Sequence, residues 1–160
     1  MLFTDESKFL LTQRVGRQRV WRHHSEQYMP TVVQESYRFG QGSVMVWSGI
    51  SIDGHTDLVV IHGNLTTVRY IEQTLLQHVL VATYDVGPEF VLMHDNARAH
   101  VTHITRAVLQ ELDTQEMEWP TVSLDLNPIK YVWDRLNRNV SGGPVPPQTL
   151  QGLEQALIEE

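Results

Sequence analysis

The sequence predicts an α/β protein in which a mixed sheet is covered by helices. Segments rich in β-prone apolar residues come first, and helical and strand-like segments then alternate. Strands that pair locally, followed by strands that alternate with helices, favour a layered α/β architecture. With 160 residues, 41% of them hydrophobic, the chain is long enough for one domain with a substantial core.

The strands are indicated by short apolar runs that end at turn residues. The first begins at Leu2 and ends on Asp5-Glu6-Ser7. The run over residues 43–52 is almost continuously apolar, as expected for a strand buried on both faces. Asp53-Gly54 then predicts a tight turn into a returning strand, and therefore a β-hairpin. The strand candidates are residues 2–4, 18–22, 43–52, 55–62, 90–93 and 115–119.

The helices are indicated by apolar residues at helical spacing. Thr66 or Thr67 suits the cap of the first helix, whose apolar positions are Val68, Ile71, Leu75, Leu76, Val79 and Leu80. The second runs from about Arg98 to Leu112, with Ile104, Val108 and Leu112 on one stripe. The expected organisation is one domain over residues 1–140, with a third helix near its end. A Gly/Pro-rich linker over 141–147 and part of a further helix over 148–160 are expected to follow it. Because the chain starts inside a strand, we expect it to be the later part of something longer.

Composition narrows the class of protein. No apolar run approaches the roughly 20 residues of a membrane span, and the N-terminal residues do not have the pattern of a secretory signal. The chain has no cysteine, so disulfides and thiolate metal sites are excluded. The net charge is −7, but residues 1–38 carry a net charge of +2. A local basic face is what phosphate binding requires, although a solvated charged hairpin explains the same residues.

Asp5 and Asp95 are the first candidate site residues. Each follows a short apolar run, and the strand ends of open α/β sheets are where binding crevices form. Two carboxylates side by side repel each other unless a hard cation such as Mg²⁺ or Mn²⁺ bridges them. The alternative is that both are ordinary turn residues, because Asp favours strand ends and loop starts.

Lys130 is out of place at the start of the predicted third helix. Asn127 suits the N-cap and Pro128 the first helical position, so Lys130 takes the third. A capping box places Glu or Gln there, and the helix dipole favours an anion by ~0.3–1 kcal/mol. The pattern therefore predicts that Lys130 replaces an acid.

The histidines offer a competing metal site. His100 and His103 are three residues apart on a predicted helix, and His94 adjoins Asp95. Three histidines can form a zinc site, but histidines at helical spacing without a set ligand motif do not specify one. Trp133 is interpreted as a packing residue between helix and sheet.

Several segments, taken together and in order, resemble the Tc/mariner superfamily of transposases. They cover roughly residues 2–140 and are Phe3-Thr4-Asp5-Glu6-Ser7, Gly42-Ser43-Val44-Met45-Val46-Trp47, Asp95-Asn96-Ala97-Arg98-Ala99-His100, Trp119-Pro120 and Asp125-Leu126-Asn127-Pro128-Ile129. The resemblance implies a ribonuclease H-like fold and an enzyme that cuts and rejoins DNA with a triad of carboxylates. The predicted order of elements agrees with that fold.

The resemblance also implies roles for individual residues. Asp5 and Asp95 become the first two catalytic, metal-binding carboxylates of a two-metal Mg²⁺ or Mn²⁺ site. The third carboxylate of the family follows the second after 34 residues, and this position holds Lys130. Leu124 also departs from the family, which usually has proline there. Arg98 and His100 are expected to contact phosphate or to support the site.

Lys130 in place of the third acid is expected to disfavour binding of the second metal ion. The reason is that a contact between two positive charges at ~4 Å costs about 4 kcal/mol per unit charge at an effective dielectric near 20. Asp134 lies about 6 Å further along the same helix face, and the geometry of Asp125 is not defined, so neither is expected to rescue the site fully.

The partners follow from the same resemblance. DNA is the expected partner, contacted through its backbone and therefore in a salt-sensitive manner, by Arg14, Arg17, Arg19, Arg22, Arg98 and His100. A family insertion that helps two subunits assemble on DNA ends corresponds approximately to residues 13–41, so a homodimer is a possible assembly. The family resemblance also implies that the protein acts in the nucleus. The leading hypothesis is the catalytic domain of a cut-and-paste transposase, impaired by Lys130. The alternative is a non-catalytic relic that binds DNA or protein.

Overall fold

The computed structural model describes residues 1–11, 42–120, 126–143 and 145–160. Their five strands form one sheet in the order β3-β2-β1-β4-β5. The three strands on one side pair antiparallel, whereas β4 and β5 continue the sheet in parallel. The strands are β1 (Leu2–Leu10), β2 (Ser43–Ile50), β3 (Val59–Ile61), β4 (Val91–Met93) and β5 (Gln115–Glu116). The predicted mixed sheet is confirmed.

Helices cover both faces of this sheet. The first is a continuous helical stretch with a π-helical middle, and the others are shorter single helices. They are α1 (Thr67–Tyr70), the π-helical segment Ile71–Val79, α2 (Leu80–Val86), α3 (His103–Glu111), α4 (Ile129–Gly142) and α5 (Leu150–Glu159). None of the helices in the described segments is long and apolar enough to cross a membrane.

The two faces of the sheet have separate cores. On one face, Trp47, Leu75 and Leu92 belong to a cluster with residues of the first helical stretch and α3. On the other face, Val46 packs with Ile129 and Leu157, which come from α4 and α5. Because α5 contributes to this second core, it packs on the sheet together with α4 instead of standing apart from the domain.

The predicted β-hairpin is present, but its strands are shorter than expected. β2 ends at Ile50, where the prediction continued to residue 52, and the backbone N–H of Ser51 donates to Gly54 at 2.8 Å. The returning strand is reduced to β3, preceded by a single bridge between Ile50 and His55. The strand predicted over residues 18–22 lies outside the described residues.

The helix expected from Arg98 begins only at His103. The backbone N–H groups of His100 and Val101 both donate to Ala97 in a preceding turn, and Thr102 then caps α3 by accepting from Thr105 N. The buried face is also different from the predicted one, because Thr105 and Leu109 are buried whereas Ile104 is 59% exposed. The other two predicted positions, Val108 and Leu112, are half-buried, so the buried face overlaps the predicted stripe only in part.

The first helix agrees better with its pattern. Thr66 is the cap and accepts from Arg69 N, as predicted. Ile71, Leu75 and Val79 are buried, but the other predicted stripe positions, Val68, Leu76 and Leu80, are exposed. At the far end of the chain, α4 continues through Gly142, two residues into the predicted linker.

Candidate active site

Asp5 lies in the middle of β1, not at its end as the sequence suggested. β1 is longer than predicted because residues beyond Asp5 continue to pair with β2, up to Leu10 with Ser43. The parallel neighbour β4 stops at Met93, which is paired with Phe3. Asp5 and Asp95 are each two residues beyond that pair. The register therefore places both aspartates just beyond the C-terminal end of β4. Only Asp95 follows a strand end, because β1 continues past Asp5.

Both oxygens of the Asp5 carboxylate contact the ammonium of Lys130. The distances from Lys130 Nζ are 2.8 Å to Oδ1 and 2.7 Å to Oδ2. Trp133 Nε1 donates a third hydrogen bond to Oδ2, at 2.7 Å. The Asp5 side chain is 3% exposed and that of Lys130 is 34% exposed. Asp5 is thus enclosed by a cation and an indole.

The start of α4 carries Lys130 and Trp133 to this position. The Asn127 side chain donates to Thr4 O at 3.2 Å and accepts from Ile129 N at 3.3 Å, so it joins the start of α4 to β1. The N-cap is Pro128, not Asn127 as predicted, and Lys130 is therefore the second residue of the helix instead of the third. Lys130 and Trp133 are three residues apart and share a helix face. Lys130 violates the local preference for an acid near a helix start, and its contact with Asp5 compensates for this.

The ionisation of Asp5 depends on opposing influences. Burial raises the pKa of the Asp5 carboxyl, and the hydrogen bonds and charge of Lys130, with the Trp133 hydrogen bond, oppose that rise. Lys130 and Trp133 offer only donors. Since both Asp5 oxygens accept from such groups, we assign the carboxylate as ionised in this contact.

Asp95 contacts the imidazole of His100, whereas Asp5 contacts Lys130. His100 Nδ1 lies 2.9 Å from Asp95 Oδ1, and His100 Nε2 lies 3.0 Å from Glu6 Oε1. His100 is 1% exposed, and the Tyr70 ring packs on it with a centroid distance of 4.2 Å. Successive residues of a strand face opposite sides of the sheet, so Glu6 lies on the face opposite to Asp5.

The protonation of this second group follows from its contacts. Burial alone lowers the pKa of His100, but the hydrogen bonds that its ring donates to Asp95 and Glu6, together with their negative charges, outweigh burial and raise the pKa of His100 to about 10. The same contact with His100 lowers the pKa of Asp95, against the effect of burial and with help from the Ala97 N–H. At neutral pH, His100 is therefore an imidazolium between two carboxylates.

Comparison with known proteins decides the family. A sequence model described as DDE superfamily endonuclease matches residues 1–148. The chain belongs to this family. The Tc1 transposase of Caenorhabditis elegans is 32% identical over 143 residues, which cover 88% of this chain and 52% of that protein. The Tcb1 transposase of Caenorhabditis briggsae is 30% identical over 143 residues, with the same coverage. The resemblance to Tc/mariner transposases is thereby confirmed, and the chain spans about half the length of the curated relatives it matches.

Solved structures confirm the ribonuclease H-like fold of this DDE family member. A pre-cleavage Mos1 transpososome superposes with a TM-score of 0.71 at 17% identity, covering 99% of this chain and 47% of that chain. A Mos1 transposase catalytic domain, solved with raltegravir and Mg, gives a TM-score of 0.67 at 16% identity, covering 99% of this chain and 68% of that chain. At such identities the likeness establishes the fold alone.

The donors near Asp5 do not fit a pair of divalent cations in this DDE domain. Divalent cations such as Mg²⁺ require oxygen ligands, but both Asp5 oxygens are taken by Lys130 and one of them also by Trp133. Within the described residues, ligand atoms of Glu6, Asp95 and His100 lie within 4.8 Å of one another, and Asp5 is not in this group. Even this group is occupied, because each carboxylate contacts a different nitrogen of His100.

The three-histidine alternative is not supported. The described residues contain no cluster of three histidines suited to a metal ion. His94 Nε2 lies 2.9 Å from Glu116 Oε1, and His103 is exposed on α3. His100 precedes that helix, so the predicted spacing of His100 and His103 along one helix was wrong.

The remaining predicted site residues and the two candidate substitutes for the third acid divide into four cases. Arg98 is exposed, as a DNA contact requires. His100 is buried, and its ring contacts the carboxylates of Asp95 and Glu6. Asp134 pairs with Arg138 on the exposed side of α4, so it does not replace the missing acid. Five predicted residues lie outside the described residues: Arg14, Arg17, Arg19, Arg22 and Asp125.

Sequence reasoning missed two contributors to the site. Glu6 was seen only as a neighbour of Asp5, although period-two alternation along β1 places it on the other face, where His100 lies. Trp133 was assigned to packing, and it does pack edge-on against Phe9 with ring centroids 6.2 Å apart. Its indole N–H has the further role of donating to Asp5, and its position three residues after Lys130 was the available signal.

Proposed function

We propose that this chain is the catalytic domain of a cut-and-paste DNA transposase, a class that cleaves and joins DNA strands, and that DNA cleavage is impaired in this copy. The proposed domain includes α4, which runs through Gly142, and α5, which packs on the same core after a short linker. The observation that carries the impairment is the contact of Lys130 Nζ with both oxygens of Asp5, at 2.8 and 2.7 Å. The family match and the transposase relatives support the class of reaction.

The proposed family site uses Asp5, Asp95 and a third carboxylate with Mg²⁺ or Mn²⁺. Metal ions in such sites orient and stabilise the oxygens of phosphoryl transfer. In this chain the third position supplies an ammonium, which removes a ligand and places a positive charge beside Asp5. A monovalent charge near a cation at ~4 Å costs about 4 kcal/mol per unit charge at an effective dielectric near 20. Both effects disfavour binding of a divalent cation beside Asp5 in the unmodified chain.

DNA is the proposed partner, bound mainly through its phosphate backbone. The exposed Arg98 adjoins the Asp95 segment and supports this assignment among the described residues. The basic residues Arg14, Arg17, Arg19 and Arg22 are proposed to add contacts. Such binding depends strongly on salt because it releases counterions. A homodimer acting on DNA in the nucleus remains part of the same proposal.

A plasmid-nicking assay tests the proposed loss of cleavage. The purified chain is incubated with supercoiled plasmid and Mn²⁺ or Mg²⁺, beside the matched Asp95→Ala variant. We expect the two proteins to give the same background of nicked circles. Metal-dependent nicking by the unmodified chain well above that of Asp95→Ala would overturn the proposal.

The Lys130–Asp5 contact also favours a second candidate, a non-catalytic DNA-binding protein. A carboxylate neutralised by Lys130 repels phosphate less than a free one does. This candidate predicts salt-dependent DNA binding that persists in Asp95→Ala, measured by fluorescence anisotropy between 50 and 200 mM salt, over which six to ten phosphate contacts lose roughly 10³–10⁵ in affinity. Binding that is absent at low salt excludes it.

A further inference from the structure

Asp95 lies in a segment with little regular structure to hold it. β4 ends at Met93 and α3 begins at His103. Within the segment, Asp95 Oδ1 accepts from Ala97 N at 2.8 Å, and His100 N donates to Ala97 O at 2.9 Å. These two bonds join the segment only to itself, and Asn96 Nδ2, which donates to Trp119 O at 3.1 Å, joins it to the residues after β5. None of these bonds reaches β1, so the position of Asp95 relative to β1 needs a further contact.

His100 supplies such a contact on β1. Its Nδ1 lies 2.9 Å from Asp95 Oδ1 and 3.1 Å from Asp95 O, so the ring contacts both the side chain and the backbone of that residue. Its Nε2 lies 3.0 Å from Oε1 of Glu6, which is 94 residues away in sequence. Glu6 is the neighbour of Asp5 in β1. One imidazole thus links the Asp95 segment to the strand that carries the other aspartate.

The orientation of the His100 ring is restricted by packing. Tyr70 is fully buried and stacks against it at 4.2 Å, tilted by 37°. The ring of His94 contacts it edge-on at 5.0 Å. Thr105 Oγ1 donates to Ala99 O at 2.7 Å, which holds the backbone beside the histidine. A ring held from several sides is suited to transmit position from Glu6 to Asp95.

We propose that His100 is a positioning residue that fixes the Asp95 carboxylate against β1 through Glu6. The inference rests on the proposed function in one respect, namely that Asp95 belongs to a DNA-processing site. The geometry disfavours a metal ion in place of this bridge, because the two carboxylates lie at opposite nitrogens of the ring. A cation bound at one nitrogen displaces the contact there.

Hydrogen–deuterium exchange on the metal-free chain tests the bridge at two amides. Ala97 N donates to Asp95 Oδ1, and Val101 N donates to Ala97 O. In Glu6→Leu, which lacks the acceptor, we expect both amides to exchange about tenfold faster or more, the size of a lost hydrogen bond between charged groups. Glu6→Gln keeps an acceptor oxygen and is expected to have a smaller effect. The control is His103→Leu, at an exposed histidine of α3, which is expected to leave both rates within about twofold, as surface substitutions usually do.

NMR of the His100 ring separates positioning from a loss of overall stability. In the unmodified chain, both ring N–H protons are expected to give slowly exchanging signals, since both contact carboxylate oxygens. Substitution of Glu6, which faces Nε2, is expected to shift the signal of Nδ1–H, which faces Asp95. If Glu6→Leu does not fold, Glu6→Gln serves for this measurement.

Three results would overturn the inference. The first is an unchanged exchange rate of the Ala97 and Val101 amides in a folded Glu6→Leu chain. The second is a chemical shift of His100 Nδ1–H that does not change when Glu6 is substituted. The third is stoichiometric Zn²⁺ or Mn²⁺ binding by the unmodified chain that is lost in Glu6→Gln, because this indicates a metal site instead. None of these measurements involves DNA, so their outcome and that of the nicking assay are independent.

Discussion

Replacing Lys130 by Glu reverses the main electrostatic contact of Asp5. An ammonium 2.7–2.8 Å from both carboxylate oxygens becomes a second carboxylate beside a buried one. Removing one partner of a buried pair costs about 3–5 kcal/mol. We take the lower end, about 3 kcal/mol, because Lys130 is 34% exposed and solvent screens part of the interaction. For a domain of this size, that loss lowers Tm by roughly 6–12 °C in the absence of divalent cations.

The same substitution restores an oxygen ligand. We therefore expect Mn²⁺ to bind Lys130→Glu and to recover most of the lost stability, since a ligand at 100 times its Kd contributes about 2.7 kcal/mol. Thermal denaturation with EDTA and with increasing Mn²⁺ measures the recovery, and isothermal titration measures the binding. The unmodified chain, in which Lys130 already neutralises Asp5, is expected to show the same Tm in both conditions.

Two matched variants make this test specific. Lys130→Met removes the ammonium without adding a ligand, so it is expected to be destabilised with little recovery in Mn²⁺. Asp5→Asn in the Lys130→Glu background is expected to abolish the recovery. The reasoning is refuted if Mn²⁺ raises the Tm of the unmodified chain as much as that of Lys130→Glu, or if Lys130→Glu does not respond to Mn²⁺.

Two further predictions concern the hydrogen bonds of the site. Trp133→Phe keeps an aromatic ring but removes the donor to Asp5, so urea unfolding should show a free energy of unfolding lower by about 1.5–3 kcal/mol. The control is Trp47→Phe, since the buried Nε1 of Trp47 has no partner within the described residues, and its free energy of unfolding should fall much less. Equal losses in the two variants contradict the assignment. The pKa of His100 is raised in the folded state to about 10 from 6.5, so its contribution to stability is complete below pH 6.5 and is lost as the pH rises through 10. At ~1.4 kcal/mol per pKa unit, the free energy of unfolding should fall by several kcal/mol over that window; His100→Gln should flatten this dependence and His103→Gln should not, and a pH dependence that survives in His100→Gln excludes His100 as its source.

Most elements of the fold were predictable because their signals are local. Alternation of residue types, apolar runs and the Asp53-Gly54 turn indicate strands and a hairpin. Thr66 indicates a helix start because its side chain satisfies a backbone N–H three residues later. Strand lengths were less predictable. β1 continues to Leu10 only because β2 lies beside it as a hydrogen-bonding partner.

The start of α3 shows why such signals fail near the site. Arg98 and the residues after it have a helical pattern, but the backbone N–H groups of His100 and Val101 both turn back to Ala97. Thr102 is extended and caps α3, which separates this turn from the helix. In the turn, His100 is buried and contacts carboxylates on two separate segments. Local spacing contains no information about a partner 94 residues away.

The sequence by itself determined the α/β class, the Tc/mariner resemblance and the anomaly at Lys130. These conclusions rest on local patterns and on the order of short segments, which are readable without coordinates. Only the tertiary structure decided what the anomalous residue does. β1 and α4 are far apart along the chain, and their packing places Lys130 on Asp5 and leaves Asp95 to His100. Asp5 and Asp95 were expected to share divalent cations, but each instead contacts a cationic side chain of the protein. The physical reason is that a buried charge is costly unless an opposite charge is packed against it.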